Sequence, residues 1–300
     1  MRTHYHLVDR IKIPLLVFLL FELLIPTSIS AQFERSASGA RSQAMGGAFV
    51  SLGDDASALF INNSGLVTIS SSVLYGDFTE GVDPGEEHES KVGFVFPALD
   101  MVFGAGWYRG GLKDARDENL FVAGIARKLL EGTQGSFLSV GAGIRLGYVS
   151  NDSSCPCAGN ESSTPDVSGD LGIMLRPLPV LSFGYSVENV RKVDFNGSNG
   201  GGMQTVRWGL SYFWEEKVIV SYEQEHLHDR TVRHYGFSIR TGVPLELMAG
   251  FTEENVTGGA RWVSDRVRAT VSFRSYGSAG VSTSASLEFS IGRSDRGKQP

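Results

Sequence analysis

The sequence predicts an all-β protein: a transmembrane antiparallel β-barrel of about fourteen strands with an N-terminal segment as a plug in its lumen. Three observations lead to this fold class. The chain starts with an export signal, apolar and polar residues alternate with period two from Ser71 onward, and short connections alternate with long ones. In such barrels every second residue of a strand faces lipid, while its neighbours face a polar lumen.

Residues 1–31 have the features of a secretory signal peptide. Basic residues precede an apolar run from Ile13 to Ile25, and small residues place cleavage after Ser30 or Ala31. The run is too short to cross a bilayer comfortably as a helix, which needs about 20 residues. We therefore expect export, with the mature chain beginning near residue 32.

Composition excludes several classes of protein. With 41% hydrophobic residues, 37 glycines and a mean hydropathy near zero, the chain resembles neither a disordered protein nor a helical membrane protein. The formal charge is -6 and becomes -7 without the signal, which holds three basic and two acidic residues. Because an acidic chain without a basic cluster binds nucleic acids poorly, we expect no nucleic-acid partner.

The segment at residues 32–70 differs from both its neighbours. It is rich in small residues, and Asp54 or Ser57 would cap a short helix over Ala56 to Phe60. Paired glycines allow close approach to a barrel wall, and irregular backbone at membrane depth must be buried inside the protein. We expect a plug; the alternative is an ordinary periplasmic segment. The residues assigned to the plug are Gly46, Gly47, Asp54, Asp55, Asn62, Asn63 and Gly65.

The barrel is predicted over residues 71–292, followed by a polar tail at 293–300. In the last strand, apolar Val281, Leu287 and Phe289 alternate with polar Ser282 and Glu288. Similar segments predict strands near Val73 to Thr79, Ser90 to Phe96, Met101 to Arg109, Asn119 to Leu129, Ser136 to Val149, Asp166 to Arg176, Leu181 to Val190, Thr205 to Trp214, Lys217 to His226, Thr231 to Arg240, Leu245 to Thr252, Thr257 to Val263, Arg266 to Tyr276 and Val281 to Ile291.

The connections test the barrel independently, because outer-membrane barrels have short turns at one end and longer loops at the other. This alternation places both chain ends on the short-turn side, the periplasm. A soluble β-sandwich also alternates along its strands, but it explains neither the signal nor this parity. The predicted short connections are Pro97 to Asp100, Pro177 to Pro179, Glu215-Glu216, Thr241 to Val243 and Ser264-Asp265, and the long ones are Glu80 to Glu89, Gly110 to Glu118, Ser150 to Pro165 and Arg191 to Gln204.

Four blocks near the N-terminus carry a family resemblance. They are Gly39-Ala40-Arg41, Ala44 to Val50 (AMGGAFV), Asp54 to Leu59 (DDASAL) and Asn62 to Leu66 (NNSGL). In this order they resemble the N-terminal signature of the FadL-like outer-membrane proteins, and the similarity is closest to the PorV/PorQ branch. The chain departs where Asn63-Ser64 replaces the Pro-Ala that the family commonly has.

The resemblance implies an outer-membrane barrel whose N-terminal segment folds into the lumen. It also implies two roles, since FadL passes hydrophobic molecules and PorV-like proteins act with the type IX secretion system. We expect a role in type IX secretion, with a FadL-like transporter of hydrophobic small molecules as the alternative and a lipid-modifying barrel enzyme as the second. Expected partners are outer-membrane lipid and either secretion-system proteins or hydrophobic solutes, and we expect a monomeric barrel.

Charged residues on the polar faces of the strands carry both signs. Mixed signs favour a salt-bridge lattice that holds a narrow barrel shut over a wide ion-selective pore; the alternative is a strip that binds an anionic substrate headgroup. The predicted lumenal charges are Arg145, Arg207, Arg240, Arg266, Arg268, Arg274, Glu188, Glu246 and Glu288, together with Asp170, Glu223 and Glu225.

No motif predicts catalysis, a metal or a cofactor. The sequence has no nucleophile elbow, HExxH or P-loop. His226, His228 and His234 flank one hairpin tip, where histidines on a polar rim are commoner than metal ligands. Cys155 and Cys157 form either a strained bridge or, as we expect, two loop thiols. We therefore predict a protein that is not an enzyme.

Overall fold

A computed structural model describes residues 39–81, 87–112, 116–151, 166–190, 204–227 and 230–292. The expected signal peptide, the C-terminal tail, the two cysteines and His228 lie outside these residues. In the part of the chain that is described, no helix has the length and apolar character needed to cross a membrane.

The described chain forms a closed barrel of fourteen antiparallel strands, as predicted. Each strand pairs with the next one in sequence, and β1 closes the barrel by pairing with β14. The strands are β1 (Ser72–Glu80), β2 (Glu87–Ala98), β3 (Met101–Leu112), β4 (Arg116–Glu131), β5 (Phe137–Asn151), β6 (Asp166–Leu178), β7 (Leu181–Glu188), β8 (Thr205–Trp214), β9 (Val218–Leu227), β10 (Arg230–Arg240), β11 (Leu245–Phe251), β12 (Val256–Val263), β13 (Val267–Ser275) and β14 (Val281–Ile291).

The two faces of each strand differ as the alternation predicts. In β14, Ser282, Ser284 and Glu288 are buried on the inner face, whereas Leu287 and Phe289 are about half exposed on the outer face. The same division recurs in β1, β7, β10 and β11, because successive side chains of a strand point to opposite faces. In β9 it is less complete, since Tyr222 and Gln224 on the outer face are also buried. The barrel therefore presents an apolar exterior to lipid and a polar interior to its own contents.

One predicted connection is wrong in extent. Residues from Gly110 to Glu118 were expected to form a long loop, but β3 runs to Leu112 and β4 starts at Arg116. An exposed ion pair joins the two strands here, with Arg109 Nη2 2.9 Å from Asp117 Oδ2. Cross-strand pairs of opposite charge support a hairpin in a polar sequence that alternation alone does not identify as strand.

Two of the tight turns at the short-turn end have unfavourable backbone angles. Leu99 and Asp100 connect β2 to β3 with φ of 54° and 57°, and Glu215 and Glu216 connect β8 to β9 with φ of 49° and 56°. Two consecutive positive φ values match the type I′ hairpin turn, which suits the twist of the strands but favours Asn-Gly. Neither turn contains glycine, so both carry local strain.

Glycine at the second position of the β8–β9 turn is expected to stabilise the barrel. Glu216→Gly removes the left-handed penalty, which is about 1 kcal/mol for a residue with a Cβ. The measurement is the urea midpoint of the detergent-solubilised barrel, followed by tryptophan fluorescence. Asp265→Gly is the matched control, because Asp265 is an exposed turn residue without positive φ. An equal change in both variants would contradict the explanation.

The N-terminal segment, residues 39–69, lies within the ring of strands. It contains helix α1 (Ala40–Ala44), helix α2 (Ala58–Ile61) and a 3₁₀ helix (Asn63–Thr68). Helix α1 contacts β11 to β14 and β1, whereas the 3₁₀ helix contacts β3 to β6. The segment therefore crosses the lumen from one side of the wall to the other, and nearly all of its residues are buried.

Candidate functional site

The candidate site is the lumen where the wall meets the N-terminal segment. Much of the contacting wall is glycine, and a Cβ added at Gly141 or Gly250 would come within 3.0 Å of backbone atoms of the segment. At these two positions the wall and the segment meet backbone to backbone, and at other wall glycines a segment side chain such as Leu59 or Asn63 fills the space. The glycines in this position, which we call the glycine belt, are Gly104, Gly106, Gly124, Gly141, Gly143, Gly172, Gly184, Gly209, Gly236, Gly250 and Gly259.

Gly46 and Gly47, predicted plug residues, make one of these contacts. Their φ values are +68° and +92°, which favour glycine, and Gly46 lies against the backbone of Gly250. The carbonyl of Gly46 accepts a hydrogen bond from His234 Nδ1 at 2.6 Å. His234 Nε2 lies 3.2 Å from Glu225 Oε2, so the wall holds this part of the segment through a buried side chain.

Asp54 and Asp55 belong to a buried ion-pair group, the Arg41 cluster, that joins the segment to the wall. Arg41 pairs with Asp54, and its Nη atoms lie 3.6 Å from Asp55 Oδ2 and 3.3 Å from Glu246 Oε1. From the wall, Arg261 Nη2 lies 3.7 Å from Asp55 Oδ2. The members of the Arg41 cluster are Arg41, Asp54, Asp55, Glu246, Arg261, Glu288 and Arg268.

The two neighbouring aspartates have opposite electrostatic environments. Burial would raise the pKa of Asp54, but the charge and hydrogen bond of Arg41 outweigh it, and the pKa lies well below its ordinary value. Burial raises the pKa of Asp55, and the negative charge of Glu288 adds to that rise. Asp54 is therefore the carboxylate whose negative charge is tied to Arg41.

A second group of charges, the Arg207 cluster, lies on β5 to β10. Arg145 Nη2 is 3.0 Å from Glu188 Oε2, and Arg207 bridges the carboxylates of Glu188 and Glu225. Glu223 accepts hydrogen bonds from the backbone N–H groups of Phe49 and Val50 at 2.7 and 2.6 Å. The cluster comprises Arg145, Asp170, Glu188, Arg207, Glu223, Glu225 and His234.

The Asn-Asn-Ser-Gly stretch turns as expected, but the helix before it differs from the prediction. Asn62 Oδ1 accepts from Ser64 N at 3.2 Å, and Asn62 Nδ2 donates to Val50 O at 2.8 Å. Asn63 fits against Gly124 and Gly143, and Gly65 packs on Gly53. Helix α2 starts at Ala58, later than expected.

Neither predicted cap makes the expected bond. Ser57 is at the N-cap without a side-chain cap hydrogen bond. Asp55 instead accepts from Ser57 N at 3.0 Å, and Asp54 pairs with Arg41. The ion pair of Asp54 and the local hydrogen bond of Asp55 therefore take the place of a helix cap. This competition explains why helix α2 is shorter than predicted.

Two of the predicted lumenal charges lie outside the lattice. Arg266 precedes β13 in an exposed turn, and Arg240 is exposed at the end of β10, with Nη1 3.4 Å from Glu216 O. Alternation gives the face of a residue but not the level at which the wall ends, which is the reason for this error. The structure places Arg145, Arg207, Arg268, Arg274, Glu188, Glu246 and Glu288, with Asp170, Glu223 and Glu225, on the inner wall.

Sequence reasoning missed several charged residues of the interior, Arg176 among them. Arg261 shares the inner face of β12 with Thr257, so period two would have revealed it. Asp77 and Lys91 are buried on β1 and β2, where Asp77 accepts a hydrogen bond from Ala40 N at 2.8 Å. Arg41 lies in a segment without periodicity, and only the tertiary structure brings it to Glu246.

The histidines lie on opposite faces of the wall. His226 Nδ1 is 2.9 Å from Thr231 Oγ1 at the exposed rim, whereas His234 is buried inside. Within the described residues, no group of three or more His, Cys, Asp or Glu side chains is arranged to hold a metal ion.

The lumen also has an apolar side. On β1 to β4, buried Val73, Val95, Val102 and Val122 line the inner wall. Leu59 and Phe60 of helix α2 pack against them and against the glycine belt at Gly104 and Gly106. This part of β1 to β4, nearer the short-turn ends of the strands, is the apolar side of the lumen. The buried Asp77–Lys91 pair lies on β1 and β2 farther from those ends, and the Arg41 and Arg207 clusters lie on other strands.

Solved structures with the same architecture come from outer-membrane channels. The monoaromatic hydrocarbon channel CymD matches with a TM-score of 0.68 at 15% identity, covering 87% of this chain and 99% of CymD. The Ralstonia pickettii toluene transporter TbuX matches with a TM-score of 0.64 at 12% identity, covering 86% and 99%. A Pseudomonas aeruginosa FadL homologue matches with a TM-score of 0.61 at 10% identity, covering 87% and 100%. The fold is that of the FadL-like outer-membrane channels.

Sequence comparison adds no further relative. No family model matches the chain, and no curated protein sequence matches it. The three FadL-like structures are named as channels, transporters or FadL homologues, and none as an enzyme. At 10 to 15% identity they show the fold alone. The closer resemblance to the PorV/PorQ branch stays a prediction from the N-terminal blocks.

Proposed function

We propose that the protein is an outer-membrane channel for hydrophobic small molecules. The apolar side of the lumen carries this proposal. A hydrophobic solute loses nothing to desolvation along a wall of valines, whereas the same route past buried ion pairs would separate charges from their partners. The FadL-like fold of the barrel and the names of its structural neighbours support the same role.

The N-terminal segment acts in this proposal as the plug of the channel. The segment contacts the Arg41 and Arg207 clusters through ion pairs and hydrogen bonds. Separating a buried charge from its partner costs several kcal/mol of stability, on the order of 3–5. On the apolar side, Leu59 and Phe60 touch the wall through carbon atoms that a hydrophobic solute can replace. Solute passage therefore requires movement of helix α2, while the ionic contacts keep the segment in the barrel.

Removing the aromatic ring on the apolar side is expected to accelerate uptake. Phe60→Ala leaves space between helix α2 and Gly106. In bacterial cells that express the protein, the hydrophobic dye N-phenylnaphthylamine should then reach the inner membrane faster than with the unchanged protein. The matched control is Phe49→Ala, which removes an equally buried ring of the segment from a different apolar cluster.

The outcome distinguishes the channel from general leakage. Faster uptake in Phe60→Ala alone supports the apolar route. Equal uptake in both variants and in cells without the barrel contradicts the proposal, provided that heat-modifiable migration on gels shows the barrels to be folded. Leakage through a loosened plug would instead raise the uptake of both variants.

Type IX secretion is the second candidate, and the four N-terminal blocks favour it. A secretion partner needs a protein interface, whereas a channel needs a solute route. Purification of the intact barrel from its native membrane separates the two. Stoichiometric secretion-system proteins would favour this second candidate, and bound hydrophobic molecules without protein partners would favour the channel.

A further inference from the structure

Arg176 differs from five arginines of the lumen that form ion pairs. Arg41, Arg145, Arg207, Arg261 and Arg268 each lie within 4.0 Å of a carboxylate oxygen. Among the described residues, no carboxylate lies within that distance of Arg176, and its buried Nε has no hydrogen-bond partner. Asp54 acts on Arg176 only through longer-range charge, because it pairs with Arg41.

Two aromatic rings replace the missing carboxylate. The Cζ atom of Arg176 lies 5.3 Å from the ring centroid of Phe137 and 4.8 Å from that of Phe213. Lys128 Nζ lies 5.7 Å from the Phe137 ring and forms an ion pair with Glu131. The guanidinium is therefore flanked by aromatic faces beside a second cation.

This arrangement lies at the short-turn mouth of the barrel. Phe137 is the first residue of β5 and pairs in register with Arg176 near the end of β6. Phe213 is close to the end of β8 and packs on an apolar cluster that includes Phe49 and Leu52 of the N-terminal segment. Arg176 is half-buried, so a solute leaving the lumen can reach it.

A guanidinium in this setting has a defined ligand preference. Aromatic faces stabilise its charge from the sides but accept none of its N–H groups in the plane. A carboxylate matches that edge with two parallel hydrogen bonds, which are stronger when both partners are charged. The adjacent rings add an apolar surface for the remainder of such a ligand.

We propose that Arg176, Phe137 and Phe213 form an exit site for small apolar carboxylic acids, with the carboxylate on Arg176 and the apolar part against the rings. The site extends the solutes of the channel from neutral molecules to amphipathic anions. Its place on a transport route rests on the proposed function, whereas its binding chemistry does not.

Binding of 4-fluorobenzoate to the intact barrel in detergent, followed by ¹⁹F NMR, tests the proposal. Arg176→Met keeps an unbranched apolar stem but removes the guanidinium, and it is expected to weaken binding about tenfold, the loss of a charge-assisted hydrogen bond. Arg240→Gln is the control, because Arg240 is an exposed arginine at the same mouth without an aromatic contact in the described structure. Its affinity should equal that of the unchanged protein.

Two further probes separate the sources of binding. Neutral 4-fluorobenzamide should bind more weakly and be insensitive to Arg176→Met, and inorganic phosphate should compete poorly because it has no apolar part. Unchanged 4-fluorobenzoate affinity in folded Arg176→Met, or phosphate competition as strong as that of benzoate, overturns the proposal. Dye uptake through the Phe60 route is measured separately, so failure of this site and failure of the channel are distinguishable.

Discussion

Arg41→Met is expected to destabilise the folded barrel by about 3–5 kcal/mol, the cost of removing one partner from a buried ion pair. Asp54, Asp55 and Glu246 would remain at the centre of the Arg41 cluster with less positive charge than negative. Methionine fills a similar volume without hydrogen bonds, so lost packing contributes little. The urea midpoint and the slope of unfolding, followed by tryptophan fluorescence, measure the effect.

Two further variants test whether the destabilisation of Arg41→Met is electrostatic. Arg109→Met removes an exposed arginine paired with Asp117, and its midpoint should stay close to that of the unchanged protein. Adding Asp54→Asn to Arg41→Met should restore part of the lost stability, because it removes one unpaired negative charge. A double variant less stable than Arg41→Met would contradict the electrostatic explanation.

Acid should weaken the ion pair between Arg41 and Asp54 in the unchanged protein. The folded-state pKa of Asp54 lies below its ordinary value of 3.8, so the stabilisation from the ion pair is fully present above that pH. It is lost progressively as the pH falls from 3.8 toward the lower folded-state pKa. The difference in urea midpoint between the unchanged protein and Arg41→Met should therefore become smaller as the pH falls.

Gly141→Ala is expected to displace the 3₁₀ helix of the segment from the wall. The new Cβ would lie within 3.0 Å of backbone atoms of Asn63 and Ser64, which cannot move aside as a flexible side chain can. Overpacking of this kind costs about 1–3 kcal/mol. Besides a lower urea midpoint, we expect single-channel conductance in planar bilayers to rise, because the displaced segment leaves a water-accessible gap.

Gly76→Ala is the matched control for this experiment. Gly76 also lies within a strand of the barrel, but an added Cβ has no atom within 4 Å. Its conductance and midpoint should therefore equal those of the unchanged protein. If Gly141→Ala folds and remains as closed as Gly76→Ala, close packing at the glycine belt does not seal the lumen.

The architecture of the wall follows from the alternation of residue types along the chain. Period-two alternation is imposed by the pleat of each strand, so Ser282, Ser284 and Glu288 were assigned to the inner face of β14 from their spacing alone. The same rule identified Arg145, Arg207 and Glu246 as interior charges. It failed at Arg240 and Arg266, since a local period contains no information on where the wall ends.

How the N-terminal segment is held inside the barrel depends on contacts between residues that are far apart in the sequence. Arg41 contacts Glu246, which lies 205 positions later in the sequence. Gly141 contacts Ser64 because closure of the barrel brings β5 to the 3₁₀ helix. The apolar side of the lumen and the aromatic contacts of Arg176 arise in the same way, from strands brought together by register. Such contacts depend on closure and register rather than on neighbouring residues, which is the physical reason that the sequence predicted the wall and many of its inner charges but not the contacts that those charges make.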